Sequence, residues 1–335
     1  MSNLKSKKIT VGIIGASGKV GGKITDLLTG KFADERIQIV LFEREELCGS
    51  FVTINDRKFK YRALSDESIA SLDFALMAGG GDVSMAWANK MAENGTVVID
   101  NSSVFRMHDG VPLVVPEVNP EMLSGFFTRG KGIRGGIIAN PNCSTIQAVV
   151  ALGPLHKAYG LKRIVYSTYQ AVSGAGMAGV AEYNRTKAGE SPEYWSRPIY
   201  GNVIPQIDTM MESGNTKEEE KMIFETQKIL GIEIPISSTS VRVPVLNGHS
   251  VSIHAEFEKN FDIAGAKEIL NSAKGVKVIE PFPVPKDADG EDEVFIGRIR
   301  RSSAKANTLD MFVVADNIRK GAATNAIQIL KLLIS

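Results

Sequence analysis

Cysteine is scarce in this chain: 335 residues hold two, Cys48 and Cys143. Two thiols this far apart form no disulfide framework, and their spacing fits no zinc pattern, so the composition predicts no metal site and a reducing, cytoplasmic setting. An excess of either charge is lacking too. Lys and Arg number 39 against 38 Asp and Glu, a formal net charge of +1 with no long basic run. Nothing there draws the chain to a nucleic acid or a membrane surface. No apolar run reaches the roughly 18 residues of a spanning helix. The polar, lysine-bearing opening, residues 1–10, leads into too short an apolar run for a signal peptide or anchor. Repeats and low-complexity tracts are missing as well. These absences leave a soluble globular protein whose partner is a small molecule. Its 43% hydrophobic and 23% charged residues suit that class, and its length favours two domains over one.

What is present alternates between strand and helix. Residues 9–14 are short, β-branched and apolar, which predicts a buried strand running into Gly15-Ala16-Ser17-Gly18-Lys19-Val20-Gly21. Residues 23–28 have helical spacing, and 37–42 (IQIVLF) read as a second strand. Residues 73–78 and 96–100 repeat the theme around a helix over 83–93. Such alternation predicts a parallel sheet covered on both faces, with ligands at the carboxyl ends of its strands. From about residue 136 the pattern changes. Residues 163–173, 241–246 and 250–257 read as longer strands of a mixed or antiparallel sheet, with a face open to another subunit. A helix capped by Thr216 is predicted over 216–230, and a Pro- and Asp-rich loop over 281–292. The apolar helix predicted over 322–334 is suited to return and pack on the first domain.

Gly15, Gly18 and Gly21 stand between a predicted strand and a predicted helix. In that context backbone N–H groups and the helix dipole can hold a dinucleotide pyrophosphate; the alternative is a tight turn. Glu43 and Arg44 follow the second strand, where selection at the adenosine ribose is usually made. A carboxylate accepts from a ribose 2′-hydroxyl and repels a 2′-phosphate, whereas an arginine does the opposite. The two residues therefore point to opposite cofactors, or to no more than a solvated charged turn.

Cys143 lies in NPNCSTIQ (140–147), where Pro141 fixes the backbone and an apolar helix follows. The dipole of a helix N-terminus favours a thiolate, and neighbouring N–H groups can receive an oxyanion. A buried core cysteine is the competing reading, and the polar neighbours count against it. Such a nucleophile needs a proton partner. His108 and His156 lie in polar or helical contexts, and His254 sits mid-strand as a structural residue would. His249 falls in a turn between two predicted strands, where a side chain can face a cleft.

Motifs along nearly the whole chain carry a family resemblance: GASGKVG (15–21), NSSVFRM (101–107), VPLVVPEVN (111–119), IIANPNCSTIQ (137–147), STYQAVSGAG (167–176), NVIPQIDTM (202–210), TKEEEKM (216–222), VRVPVLNGHS (241–250) and DNIRKGAATNAIQIL (316–330). The chain resembles the aspartate-semialdehyde dehydrogenase family. The resemblance implies reversible conversion of 4-aspartyl phosphate and a reduced nicotinamide cofactor to aspartate 4-semialdehyde, oxidised cofactor and phosphate. That reaction supplies lysine, diaminopimelate, threonine and methionine biosynthesis. By resemblance Cys143 attacks the acyl phosphate, His249 is the acid/base and Gln170 orients the substrate. Arg106 and Lys221 hold the phosphate, Arg242 forks onto the α-carboxylate, and Glu218 takes the ammonium. The side chain of Asn142 and the N–H of Cys143 are the inferred oxyanion donors. Cofactor contacts carry over to Gly15, Ser17, Gly18, Lys19, Val20 and Gly21, to Ser173 and Gly174 beside the nicotinamide, and to Asn317.

The implied fold class is α/β. A Rossmann-like dinucleotide-binding domain spans 1–135 together with a C-terminal helix over 318–335. An α+β catalytic and dimerisation domain with a mixed sheet spans 136–317. A homodimer is expected, with a tetramer left open. NADP is the implied cofactor, yet many members hold its 2′-phosphate with an Ala-Ser-x-Arg-Ser run, where this chain reads EREEL (43–47). Glu46 and Leu47 stand at the usual Arg-Ser positions, Arg44 is a replacement clamp, and NAD or dual use stays open. A second departure is MAGGGDVS (77–84), where a serine usually replaces Met77 or Ala78. The competing activities are an N-acetyl-glutamyl phosphate reductase, which would not need Glu218, and a glyceraldehyde-3-phosphate dehydrogenase, which would not need Arg242. A non-catalytic paralogue and a thiol hydrolase stand further off.

Overall fold

The computed structural model describes residues 8–128, 132–303 and 305–335; the first seven residues of the polar opening lie outside them. The described residues form two compact units, one reaching to Pro141 and resuming over Ala322–Ser335, the other Asn142–Gly321.

In the first unit, β1 (Ile9–Ile14), β2 (Ile37–Phe42), β3 (Phe51–Ile54), β4 (Arg57–Arg62), β5 (Phe74–Met77), β6 (Val97–Asp100) and β9 (Gly136–Ala139) make one sheet in the order β3-β4-β2-β1-β5-β6-β9. Every neighbouring pair is parallel except β3 with β4. A separate ribbon pairs β7 (Phe127–Thr128) with β8 (Gly132–Ile133). Side-chain alternation sends Val11 and Ile13 to one face, where they meet Ile24 and Leu28 of α1 (Lys19–Thr29) and Ile327 and Leu330 of the last helix, Thr324–Ile334. Ile14, Ala75 and Met77 face the other side, against Ile69 of α2 (Asp66–Ile69) and Ala88 and Met91 of α3 (Gly81–Glu93). Both faces are thus covered, and the terminal helix does pack on the first sheet.

The second unit begins with α4 (Cys143–Tyr159), followed by β10 (Leu161–Gln170), α5 (Gly176–Lys187) and α6 (Lys217–Leu230). Thr216 caps α6 in a reciprocal box with Glu219. Next come β11 (Ile236–Arg242), β12 (His249–Phe257), α7 (Ile263–Ser272), β13 (Val276–Val278), α8 (Pro285–Ala288), β14 (Val294–Arg301) and β15 (Thr308–Ala315). The sheet runs β11-β10-β12-β15-β14-β13 and is mixed: β10 pairs parallel with β11 and antiparallel with β12. On β12, Val251, Ile253 and Ala255 are buried, while Ser252 and His254 on the opposite face are partly exposed.

Four expectations need correction. The first unit keeps residues 136–141, because Gly136–Ala139 pairs with β6, so the change of unit falls after Pro141 rather than after 135. At the other end it falls after Gly321 rather than 317. The strand expected over 241–246 is instead Ile236–Arg242, since Pro244 has no N–H to continue the ladder. The loop expected over 281–292 contains α8, whose Pro285 occupies a favoured first-turn position.

Candidate active site

In the first unit the loop after β1 turns at Gly15 with φ of 76°. A Cβ there would lie 2.6 Å from the Cα of Gly79, so only glycine lets the loop meet the backbone that follows β5. β1 and β5 are neighbours where the strand connections diverge, the place at which open α/β sheets bind ligands. Helix α1 starts after Gly18 with no side-chain cap and no acid in its first turn, leaving the N–H groups of Lys19, Val20 and Gly21 for an anion. Beside this loop a cleft of about 460 Å³ is lined by Phe42, Glu43, Leu64, Gly79 and Trp87 among others. The backbone cradle and adjoining cleft fit a dinucleotide. Glu43 Oε1 accepts the N–H of Ser17 at 2.6 Å, and Arg44 Nε lies 3.7 Å from Glu46 Oε2 at the surface. Arg106 also belongs to this unit; it is buried, donating from Nε to the carbonyl of Asn140 at 3.0 Å and from Nη2 to that of Asn101 at 2.8 Å.

Strand register assembles the second cluster. Gln170 ends β10 opposite Arg242, which ends β11, and His249 opens β12 one residue beyond the Tyr169–Ser250 pair. All three are buried on the face that carries Tyr166, Ser240 and Val251. His254 is five residues on, an odd number, and so lies on the opposite face, where its Nδ1 is 2.6 Å from Asp310.

Cys143 is the first residue of α4, partly exposed. Asn142 caps that helix, its Oδ1 accepting from the N–H of Ser144 at 2.9 Å and of Thr145 at 3.2 Å. Its Nδ2 donates to Glu218 Oε1 at 2.8 Å, and its own N–H goes to Glu225 Oε2 at 2.7 Å. The Asn142 side chain thus holds the helix start through its acceptor and spends one of its two amide hydrogens on Glu218.

Glu218 is the hub. Oε1 also accepts from Gln170 Nε2 at 3.0 Å, and Oε2 from Lys221 Nζ at 3.1 Å. Burial raises its pKa, but Lys221, Asn142 and Gln170 outweigh this and leave it lowered. Lys221 in turn is pushed down by burial and carried above its usual value by Glu218 and Asp208, the latter 2.8 Å away.

Arg242 Nη1 donates to the carbonyl of Ala171 at 2.8 Å, while its buried Nε has no partner. Burial lowers its pKa, opposed by Glu218 and Cys143, and a guanidinium starts high enough to stay cationic. His249 Nδ1 accepts the N–H of Ala171 at 3.0 Å, which places the proton of the neutral ring on Nε2. Burial, then Arg242, pushes its pKa well below 6.5, so the ring is neutral at pH 7. Nε2 is buried without a partner. A Cβ at Gly174 would lie 3.0 Å from that atom and 2.7 Å from Arg242 Nη1. The unpaired His249 Nε2 and the Arg242 guanidinium therefore border a space that a methyl group would intrude upon.

Within the second unit the structure brings Asn142, Gln170, Glu218, Lys221, Arg242, His249 and Gly174 into one network with Cys143. Ser173 and Asn317 form an adjoining pair, with Asn317 Nδ2 donating to Ser173 Oγ at 3.0 Å and Asn317 Oδ1 accepting the N–H of Gly248 at 3.0 Å. The glycine loop, Glu43, Arg44 and Arg106 belong to the first unit. Sequence reasoning missed Glu225, Asp208 and Ala171. Glu225 left a signal: Glu218, Met222, Glu225 and Ile229 are spaced as one helical face, and all four are buried.

Residues 10–126 match the family described as semialdehyde dehydrogenase, NAD binding domain, and residues 152–320 match semialdehyde dehydrogenase, dimerisation domain. The aspartate-semialdehyde dehydrogenase of Aquifex aeolicus (strain VF5) is 48% identical over 339 residues, covering 97% of each chain. The chain belongs to the aspartate-semialdehyde dehydrogenase family. Among solved relatives, aspartate semialdehyde dehydrogenase II from Vibrio cholerae, in a complex with ASA, superposes with a TM-score of 0.91 at 40% identity, over 98% of this chain and 99% of that one. The enzyme from Candida albicans with NADP gives 0.79 at 25% identity, over 98% of both. Membership makes this chain an oxidoreductase with the NAD(P)-binding and dimerisation domains of the aspartate-semialdehyde dehydrogenases.

Proposed function

We propose that this chain reduces 4-aspartyl phosphate to L-aspartate 4-semialdehyde with release of phosphate, through a thioester on Cys143. The observation that carries this reading is the chain of contacts from the start of α4 through Asn142 and Glu218 to Gln170, on the strand ends that carry Arg242 and His249. It supplies a nucleophile, a carboxylate fork and a neutral acid in one buried cluster.

The α4 dipole and the nearby Arg242 charge favour the thiolate of Cys143. Its attack on the acyl carbon forms a C–S bond, and the C–O bond to phosphate breaks as phosphate leaves with the electron pair. Reduced nicotinamide, when bound, would supply the hydride that takes the thioester to the aldehyde level. His249 Nε2–H donates to the oxygen of each tetrahedral species, and collapse of the last one releases the aldehyde and restores the thiolate. The N–H of Cys143, at the open end of α4, is a second oxyanion donor. Arg242 grips the α-carboxylate. Glu218 has both oxygens engaged by Asn142, Gln170 and Lys221, so it receives the ammonium as a fourth partner while positioning Gln170 and Lys221. Arg106 and Lys221 are assigned to the phosphate on the family resemblance. Gly15, Ser17, Gly18, Lys19, Val20 and Gly21 would hold the dinucleotide pyrophosphate, with Ser173, Gly174 and Asn317 at the nicotinamide.

We assign the domain boundary to the dinucleotide-binding and catalytic roles accordingly, with a homodimer formed through the sheet face that shows Tyr169 and Phe312. A working thiolate fits a reducing compartment, the cytoplasm. The test is cofactor reduction with aspartate 4-semialdehyde and phosphate against N-acetyl-glutamate semialdehyde and glyceraldehyde 3-phosphate. Phosphate-dependent turnover with the first is expected; turnover confined to another aldehyde would refute the assignment.

A further inference from the structure

We propose that Glu43 selects the dinucleotide, so that this chain binds NAD in preference to NADP. The inference rests on the dinucleotide-binding reading of the first unit and reverses the choice that family resemblance alone implies.

Glu43 is the residue immediately after β2, twenty-two positions beyond Gly21. An acid about 20 residues past the glycine loop is where a ribose 2′-hydroxyl finds its acceptor. Its carboxylate is not a loose surface charge. Oε1 is pinned to the Ser17 N–H at 2.6 Å, and Oε2 accepts the N–H of Arg44 at 3.2 Å. The side chain thereby lies against the glycine loop, on the wall of the cleft it shares with Leu64 and Trp87. A hydroxyl can donate to an oxygen held there. A 2′-phosphate, carrying close to two negative charges, meets a fixed carboxylate instead, and the Ser17 N–H that could receive it is already engaged.

The surrounding charges reinforce this choice. Glu45 and Glu46 follow within the next turn, and Glu45 also lines the cleft. Arg44 is the one cation of the run; it too lines the cleft, but it is exposed and its Nε lies 3.7 Å from Glu46, so its charge is shared. Three carboxylates against one shared guanidinium suit a neutral ribose, and a bidentate phosphate clamp is lacking among the described residues of this run.

Isothermal titration of the full chain with NAD and with NADP, in the absence of substrate, tests the proposal. NAD is expected to bind at least about tenfold tighter, a difference of about 1.4 kcal/mol. Quenching of tryptophan emission in Trp195→Phe, which retains Trp87 as the sole indole, should give the same order. Glu43→Ser, with folding checked by circular dichroism, should tighten NADP binding by about tenfold or more while weakening NAD. NADP binding equal to or tighter than NAD in the unaltered chain would overturn the proposal. Binding of neither nucleotide would overturn the dinucleotide reading on which it stands.

Discussion

The backbone of Ala171 holds His249 in one tautomer, its N–H donating to Nδ1 at 3.0 Å, while the carbonyl of the same residue accepts from Arg242 at 2.8 Å. One residue therefore orients both the imidazole and the guanidinium. A protonated ring would have to turn a second N–H against that of Ala171, beside a guanidinium and out of water. Neutral His249 with its proton on Nε2 is the consequence.

His249→Gln keeps an amide donor but loses the imidazole, and kcat should fall by about 10²- to 10⁴-fold. Its effect on stability has a definite sign. The folded pKa lies well below the unfolded value of 6.5, so the unfolded chain takes up this proton first as pH falls. The contribution of neutral His249 is full above about pH 6.5 and is lost progressively below it. Denaturant titrations from pH 8 to 5 should show the unaltered chain losing stability relative to His249→Gln; parallel curves would contradict the buried neutral ring.

Gly174→Ala places a methyl group 2.7 Å from Arg242 Nη1 and 3.0 Å from His249 Nε2. Displacing either group by about 1 Å should lower kcat/KM by about 100-fold. Steady-state kinetics with aspartate 4-semialdehyde checks this, and unchanged kinetics would show that the space beside Gly174 has no part in turnover.

Removing the hub costs stability as well as activity. Glu218→Ala leaves the mostly buried Lys221 with Asp208 alone and frees the amides of Asn142 and Gln170. Urea unfolding should register a loss of about 3 kcal/mol. Glu218→Ala combined with Lys221→Met should lose less than the two changes added together, since the second removes the stranded charge.

Much of this arrangement is legible in the sequence. The glycine loop announces itself because an apolar strand, three glycines and a helix must follow one another there, and α6 because Thr216 and Glu219 form its box before an amphipathic run. Other parts are hidden for physical reasons. Strands β3 and β4 turn Val52, Phe59 and Tyr61 toward the core, but Phe51 is exposed and lysines flank Phe59, so neither reads as an apolar run. β11 reads ISSTSVR, polar by composition, yet buries Ser238 and Ser240. The hold on His249 comes from a main-chain N–H, which no side chain at position 171 can reveal. Glu225 looks like one more acid in a charged helix until the partner 83 residues away is in place.

In the proposed reaction Cys143, at the start of α4, carries the acyl group. Initial rates of nicotinamide reduction with aspartate 4-semialdehyde and phosphate, for the unaltered chain and for Cys143→Ser, test it most directly. The expected result is phosphate-dependent turnover that falls by at least about 10³-fold in Cys143→Ser, with the thermal midpoint retained. Comparable turnover in the two proteins would contradict it.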